Sequence, residues 1–238
     1  MSKKHTIVVV GGGTGGIGVA NALLNSRANL DIAIIEPSEK HYYQPGWTLV
    51  GGGEMSAAST EKDMADYIPK QVSWVKDRVA SFQPQLNEVV LSNGDSIGYD
   101  YLIVAAGLVI DWQKIEGLEQ TLGKNGVCSN YRYDLAPYTW QCIQRLPEGG
   151  KALFTQPPMP IKCAGAPQKI LYLAADHWQR NETSAEITFC NQGGAMFGVP
   201  YYAQALDKIM DSYDAERCFG ENLSAIDGDN KAATFTKA

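Results

Sequence analysis

The sequence feature that most constrains the fold is the segment TIVVVGGGTGG at residues 6–16. The β-forming residues Ile7–Val10 run directly into Gly11, Gly13 and Gly16, which fit the pattern G-x-G-x-x-G. The first glycine of that pattern permits a tight turn, the second lets backbone approach a pyrophosphate, and the third lets a helix pack closely on the strand. The amino end of that helix offers free N–H groups to the phosphates. The segment therefore predicts a strand–turn–helix unit that binds a dinucleotide.

A carboxylate after the second predicted strand supports this interpretation. The strand Leu30–Ile35 ends at Glu36, which lies 20 residues beyond Gly16. A carboxylate at this place can accept hydrogen bonds from both hydroxyls of an adenosine ribose, whereas it would repel a 2′-phosphate. The alternative is a glycine-rich turn that holds no ligand.

Charge, hydrophobicity and cysteine spacing exclude several classes of protein. The 238 residues include 45% hydrophobic and 19% charged residues, which is typical of a folded chain of one large or two modest domains. The net charge of −6 argues against a nucleic-acid binder. The longest apolar run, Tyr101–Ile110, is too short to span a membrane, and the weakly basic start leaves no room for a signal peptide. The five cysteines form no C-x-x-C pair, so we expect neither a zinc site nor a disulfide framework.

The first half of the chain is predicted to complete a sheet around the dinucleotide. The segment 36–55 is an aromatic and glycine-rich loop that we expect to cross the cofactor, with a simple covering loop as the alternative. A short helix is predicted over 60–69, and an antiparallel meander over 72–75, 78–83, 88–92 and 96–99. A separate buried strand, Asp100–Gly107, is expected to return beside the first strand, and its small residues would let backbone pass near the cofactor.

The second half alternates strands and helices. Strands are predicted at 151–155 and 185–190, and helices at 131–146, 168–180 and 201–213. The predicted fold class is α/β, with two tandem Rossmann-like domains at residues 1–112 and 113–238, parallel sheets and a small antiparallel meander. In the second glycine-containing turn Gly193, Ala195 and Gly198 stand where G-x-G-x-x-G would be needed. Because Ala195 replaces the glycine that permits close approach, NAD(P)H binding is disfavoured there.

Cys163 is the thiol with the strongest chemical context. It lies in a proline-rich loop before a predicted helix, next to Lys162, and Pro167 suits the first turn of that helix. A nearby cation and a helix amino end favour the thiolate, which is the nucleophilic form. The alternative is a buried, inert cysteine. Cys128 precedes a polar turn and is an intermediate case, whereas inert packing is the expected role of the other cysteines, Cys142, Cys190 and Cys218.

Five stretches together resemble the sulfide:quinone oxidoreductases, and in particular the branch that includes the mitochondrial enzymes. These stretches are VVVGGGTGG, IIEPSEKHYYQPGWTLVGGG, YDYLIVAAG, PIKCAGAPQK and NQGGAMFGVPYYAQAL, which begin at residues 8, 34, 99, 160 and 191. The resemblance covers nearly the whole chain. The segments around HYYQP and PIKCAGAPQK are more specific than the glycine pattern.

The resemblance implies a flavoprotein that oxidises sulfide and passes two electrons from FAD to a membrane quinone. In that family a cysteine pair lies beside the flavin, sulfide opens its disulfide, and one sulfur becomes a persulfide. Cys163 matches the first cysteine of the pair. The FAD-binding residues that we predict are Gly11, Gly13, Thr14, Gly15, Gly16, Glu36, Pro37, Gln44, Pro45, Val79, Ala105, Ala106 and Gly107.

The resemblance also implies what lies outside this chain. Family members continue well beyond the point where this sequence stops, and the second redox cysteine and the membrane-contacting elements lie in that portion. We therefore expect an amino-terminal portion that self-associates through uncovered apolar surface, with Cys128 as a candidate partner of Cys163. Peripheral membrane contact is implied by the family alone. Two alternatives stay open: a type II NADH dehydrogenase-like flavoprotein, and a catalytically silent FAD-binding module.

Overall fold

The computed structural model describes residues 3–26 and 29–237. Contacts between residues divide the chain into two compact units. The first unit comprises Met1–Tyr43 and Ser59–Ile110, and the second comprises Gln44–Ala58 and Asp111–Ala238. The predicted domain limits, 1–112 and 113–238, stay a prediction, and the segment Gln44–Ala58 differs from them because it packs with the second unit. Short 3-10 turns occupy Gln44–Gly46, Ala57–Thr60, Met64–Asp66, Pro84–Leu86 and Trp112–Lys114.

The first unit is built on a six-stranded mixed sheet whose central strands are parallel. Residues 7–10 and 32–35, in two adjacent parallel strands, are buried on both faces, as expected of a parallel sheet covered on both sides. In chain order the elements are β1 (Lys3–Val10), α1 (Thr14–Leu24), β2 (Ile32–Ile35), β3 (Lys40–Tyr42), β4 (Glu61–Asp63), β5 (Ser73–Val75), β6 (Val79–Gln83), β7 (Glu88–Leu91) and β8 (Ser96–Val104). The strand order in the sheet is β5-β2-β1-β8-β7-β6.

Pairing within this sheet confirms the strand–turn–helix prediction and corrects three details. β1 pairs in parallel with both β2 and β8, and β5 pairs in parallel with β2, so residues 73–75 belong to the parallel sheet and not to the meander. The strands predicted at 96–99 and 100–107 are one strand, β8, because its first part pairs with β7 and its whole length pairs with β1. The helix predicted at 60–69 is wrong, because pairing of β4 with β3 holds residues 61–63 extended.

The second unit contains a three-stranded parallel sheet flanked by helices. Phe189, Leu171, Met196 and Met210 are fully buried in its core. Its elements are α2 (Trp47–Gly51), α3 (Leu118–Thr121), α4 (Ala136–Gln144), β9 (Gly150–Gln156), α5 (Ala166–Arg180), β10 (Ala185–Asn191), α6 (Pro200–Ser212), β11 (Glu216–Phe219), β12 (Glu221–Asp227) and β13 (Ala232–Lys237).

Strand pairing confirms the predicted alternation in this half. β10 pairs in parallel with β9 and with β11, while β12 and β13 form a separate antiparallel pair. The predicted helices at 131–146, 168–180 and 201–213 correspond to α4, α5 and α6 with shifted ends. Within the part of the chain that the structure describes, none of the helices combines the length and apolar character needed to cross a membrane.

Candidate functional site

Two positions of the glycine turn have no room for a side chain, one because of the segment that follows β8 and the other because of the turn's own backbone. Gly11 has a φ of +102°, and a Cβ there would lie 2.4 Å from the carbonyl oxygen of Ala105. A Cβ on Gly16 would lie 1.9 Å from the carbonyl oxygen of Gly11. Both obstacles are backbone, which cannot rotate away as a side chain can. The first and third glycines therefore bring β1, α1 and the end of β8 together.

The other side of the same turn is open. A Cβ on Gly13 would meet nothing within 4 Å. Gly13 caps α1, and no side chain of the described residues caps this end, so the N–H groups of Thr14, Gly15 and Gly16 lie in an uncapped first turn. The first turn also lacks acidic residues. Such a helix end favours an anionic group.

Glu36 ties the turn to the end of β2. Its Oε2 accepts a hydrogen bond from the backbone N–H of Gly12 at 2.7 Å, and its Oε1 accepts one from the N–H of Ser38 at 2.7 Å. The side chain is half-buried. Each carboxylate oxygen keeps further acceptor capacity for a ligand hydroxyl. Pro37 follows it as an exposed residue.

The predicted residues at the end of β8 lie beside the turn. The N–H of Ala105 donates to the carbonyl oxygen of Val10 at 2.8 Å, and a Cβ on Gly11 would lie 2.9 Å from the Cα of Ala106. Gly107 has a φ of +75°, which favours glycine. Val79, in contrast, begins the edge strand β6. The structure thus brings together the glycines, Glu36 and the end of β8, while a cofactor contact of Val79 stays a prediction.

In the second unit, Cys163 lies in the loop between β9 and α5. Its side chain is half-buried, and its carbonyl oxygen accepts hydrogen bonds from the N–H of Ala166 at 3.1 Å and from the Tyr131 hydroxyl at 3.5 Å. Burial, with a smaller contribution from the charge of Cys163, raises the pKa of Tyr131 to about 12. Tyr131 therefore stays protonated at neutral pH.

The loop that carries Cys163 contacts the predicted flavin segment. Lys162 Nζ donates a hydrogen bond to Oε1 of Gln44, which begins the 3-10 turn that also contains Pro45. Desolvation lowers the pKa of Lys162, and the adjacent Cys163 opposes that shift. The sequence placed these residues in separate motifs 118 positions apart, and the fold of the second unit brings them together.

Cys128 has a different thiol neighbour. The interaction with Cys142 of α4, a residue that we expected to be inert, is the largest cause that raises the pKa of Cys128, and burial acts in the same direction. The spacing of Tyr138 and Cys142, four residues apart on α4, is the sequence signal that could have indicated a shared polar face. The pairing of Cys128 with Cys163 stays a prediction.

The turn after β10 uses its polar groups internally. Oδ1 of the buried Asn191 accepts from the N–H of Gly193 at 2.9 Å, and its Nδ2 donates to the carbonyl oxygen of Ala195 at 2.9 Å. The following helix begins at Pro200, which has no N–H to offer a phosphate. Residues 3–26 and 29–237 contain no cluster of three or more metal-ligating side chains.

The parallel sheet, the glycine turn and the strand-end carboxylate are typical of an α/β unit that binds a dinucleotide. The pyridine nucleotide-disulphide oxidoreductase family model matches residues 5–137, and the chain belongs to this family.

More specific similarity extends over nearly the whole chain. Mitochondrial sulfide:quinone oxidoreductase of Dictyostelium discoideum is 47% identical over 232 residues, which are 96% of this chain and 51% of that protein. The mouse mitochondrial sulfide:quinone oxidoreductase is 39% identical over 98% of this chain and 52% of its own length. The predicted resemblance is thereby confirmed. The chain spans about half the length of these curated relatives.

A solved structure confirms the predicted fold class. The sulfide:quinone oxidoreductase of Aquifex aeolicus superposes with a TM-score of 0.82 at 20% identity, over 100% of this chain and 57% of that chain. At this identity the match concerns the fold alone.

Proposed function

We propose that this chain contributes the FAD-binding turn and one redox thiol of an enzyme that oxidises sulfide and delivers electrons to a quinone. The observation that carries the proposal is the glycine turn, open at Gly13 and bounded by the Glu36 carboxylate, in a chain 47% identical to a sulfide:quinone oxidoreductase. Since the relatives are named as mitochondrial enzymes, we propose the same compartment, with peripheral contact to the membrane that holds the quinone.

The first unit offers the groups that FAD requires. The uncapped first turn of α1 would bind the pyrophosphate, the open side of Gly13 would let it approach, and Glu36 would accept hydrogen bonds from ribose hydroxyls. When bound, FAD supplies a two-electron acceptor that can pass its electrons to a quinone. Quinone reduction and self-association of the chain belong to the same proposal.

In the second unit Cys163 is the proposed nucleophile. In the oxidised enzyme, Cys163 would belong to a disulfide. HS⁻ would attack this disulfide, leaving a persulfide on one cysteine and a thiolate on the other. Lys162 would stabilise the negative charge on sulfur, and its hydrogen bond to Gln44 would orient the ammonium group. Tyr131, held protonated, would position the loop through the Cys163 carbonyl.

The test is the visible absorption spectrum of the purified chain before and after anaerobic addition of sulfide. A flavin band that bleaches with sulfide supports the proposal, and a flavin band that ignores sulfide supports the silent FAD-binding module. Cys163→Ser should keep the flavin band and lose the bleaching. Gly13→Ala should lose FAD affinity at least roughly tenfold while the unfolding free energy stays near the wild-type value, because the new Cβ occupies only the ligand's space. A colourless wild-type chain that cannot be loaded with FAD would contradict the proposal.

Two further measurements separate the remaining alternatives. Bleaching by NADH would favour a type II NADH dehydrogenase-like protein, although the internally bonded turn at Asn191 argues against it. Loss of sulfide-dependent bleaching in Cys128→Ser would support Cys128 as the partner of Cys163.

A further inference from the structure

A segment from the first half of the sequence is packed into the second unit through its glycines. α2 is followed by Gly52 and Gly53, and both lie directly against side chains of longer helices. A Cβ on Gly52 would lie 2.6 Å from Cδ1 of Leu173 of α5, and a Cβ on Gly53 would lie 2.6 Å from the indole ring of Trp140 of α4. α2 therefore has a fixed place against α4 and α5.

A hydrogen bond joins α2 to the segment that holds the Cys163 loop. Nδ2 of Asn130 donates to Oγ1 of Thr48 at 2.7 Å, and Thr48 is only 7% exposed. The next residue, Tyr131, donates from its hydroxyl to the carbonyl oxygen of Cys163 at 3.5 Å. Two consecutive residues therefore connect α2 to the Cys163 loop.

A second connection between α2 and the same loop runs through Lys162. Gln44 begins the 3-10 turn that ends at Gly46, and α2 begins at the next residue. Oε1 of Gln44 accepts a hydrogen bond from Lys162 Nζ. Gln44, α2, residues 130–131 and the Cys163 loop thus form a closed ring of contacts within the second unit, which we call the α2 ring.

The α2 ring places a cation next to the proposed nucleophile. Lys162 directly precedes Cys163 in the chain, and the charge of Cys163 opposes the desolvation that lowers the pKa of Lys162. A lysine side chain is flexible, so the hydrogen bond to Gln44 decides where its ammonium group lies. Thr48 and Asn130 act on this arrangement through α2, because the turn that carries Gln44 leads directly into that helix.

We propose that Gln44, Thr48 and Asn130 are positioning residues that hold the Lys162 ammonium at Cys163, so that anionic sulfur species are drawn to this sulfur. The inference rests on the proposed function, in which HS⁻ is the reacting anion. A unit charge a few ångströms away changes the rate of approach of an anion by about threefold or more at the dielectric constant of a protein surface. The same charge has little effect on a neutral reactant.

The experiment compares iodoacetate, which is anionic, with iodoacetamide, which is neutral, on the full reduced chain at neutral pH. Peptide mapping gives the alkylation rate of Cys163 with each reagent. The ratio of the two rates reports the charge at the sulfur, because both reagents need the same thiolate and similar access. We expect the ratio in the folded wild type to exceed the ratio in urea by about threefold or more. Lys162→Gln should remove this excess.

Thr48→Val tests the positioning role, because it removes the hydroxyl and keeps the shape of the side chain. It should lower the ratio at Cys163 toward that of Lys162→Gln, whereas Thr48→Ser, which keeps the hydroxyl, should restore it. Thr139→Val, at a buried threonine of α4 outside the α2 ring, is the matched control and should leave the ratio unchanged. A mere loss of stability would change both rates together and expose the buried Cys190 to both reagents.

Gln44→Leu, at an exposed side chain, removes the other hydrogen bond of the α2 ring and keeps the test available where Thr48→Val disturbs folding. It should lower the ratio in the same way. An unchanged ratio in folded Thr48→Val or in Gln44→Leu, or a wild-type ratio no higher than in urea, would overturn the inference. The assay uses neither FAD nor sulfide, so a ratio that behaves as expected while the flavin ignores sulfide would support the positioning role and contradict the proposed sulfide chemistry.

Discussion

Replacing Gly16 by alanine tests whether the glycine turn is fixed by backbone packing. The Cβ of the new residue would lie 1.9 Å from the carbonyl oxygen of Gly11 and 3.2 Å from Cγ1 of Val9. The oxygen belongs to the turn itself, so relief requires α1 to move away from β1. Gly18, two residues further along the same helix, is the matched control, because a Cβ there meets nothing within 4 Å.

The two substitutions should change stability in opposite directions. Overpacking against backbone costs about 1–3 kcal/mol or more, which exceeds the gain of up to ~1 kcal/mol from alanine's helix propensity. Gly16→Ala should therefore lower the unfolding free energy by about 1–2 kcal/mol net, with a fall in Tm of roughly 2–8 °C at 2–4 °C per kcal/mol. Gly18→Ala keeps only the propensity gain and should raise Tm by roughly 1–4 °C.

Thermal and urea unfolding of both variants, followed by circular dichroism, measure these changes. FAD titration should show weaker binding for Gly16→Ala, because displacement of α1 moves the N–H groups that we assign to the pyrophosphate. Equal stability of the wild type and Gly16→Ala would refute the close packing of α1 on the turn.

Three further predictions concern other parts of the chain. Phe189→Ala should lower the unfolding free energy by about 3–5 kcal/mol, since Phe189 is 0% exposed. Phe82→Ala should lower it much less, because that side chain is 46% exposed. Urea unfolding measures both changes. Glu36→Gln removes the charge from two backbone hydrogen bonds, so it should lower the unfolding free energy by about 1–3 kcal/mol and weaken FAD binding. Glu39→Gln, at an exposed side chain paired with Lys76, should leave both quantities close to the wild-type values. Burial raises the pKa of Cys190 from 9.0 to about 12, so its contribution to the unfolding free energy is complete below pH 9 and is lost as the pH rises toward 12. Cys190→Ala should therefore flatten the fall in unfolding free energy at alkaline pH. An unchanged slope would contradict this assignment.

The glycine turn was predictable because part of its constraint is local. A Cβ on Gly16 would meet the carbonyl oxygen of Gly11 in the same turn, whereas the space at Gly11 is limited by Ala105, which is distant in sequence. The length of β8 was not predictable in the same way. Asp100 looks like a break between two strands, but its carboxylate is exposed and forms an ion pair with Lys4 Nζ at 2.6 Å, so a polar residue is accommodated within one continuous strand.

The site in the second unit also combines a feature that nearby residues predict with contacts that they do not. Cys163 was identified from its own neighbours, Lys162 and Pro167, but its connection to Gln44 depends on how residues distant in sequence pack. Cys142 was expected to be inert because it lies within a helix. Its effect on the pKa of Cys128 depends on the turn at 123–127, which no spacing in the sequence indicates.

The double pairing of β8 has a consequence for the order in which the first unit folds. A short turn at 92–95 joins β7 to β8, whereas Val10 of β1 pairs with Val104. Closing a loop on the order of 90 residues costs more conformational entropy than closing a hairpin, and such distant pairing forms late. We therefore expect the β7–β8 hairpin to form first and to act as the template onto which β1 docks. The glycine turn at the end of β1 would then be completed late in folding, and a dinucleotide that binds it would trap the finished sheet.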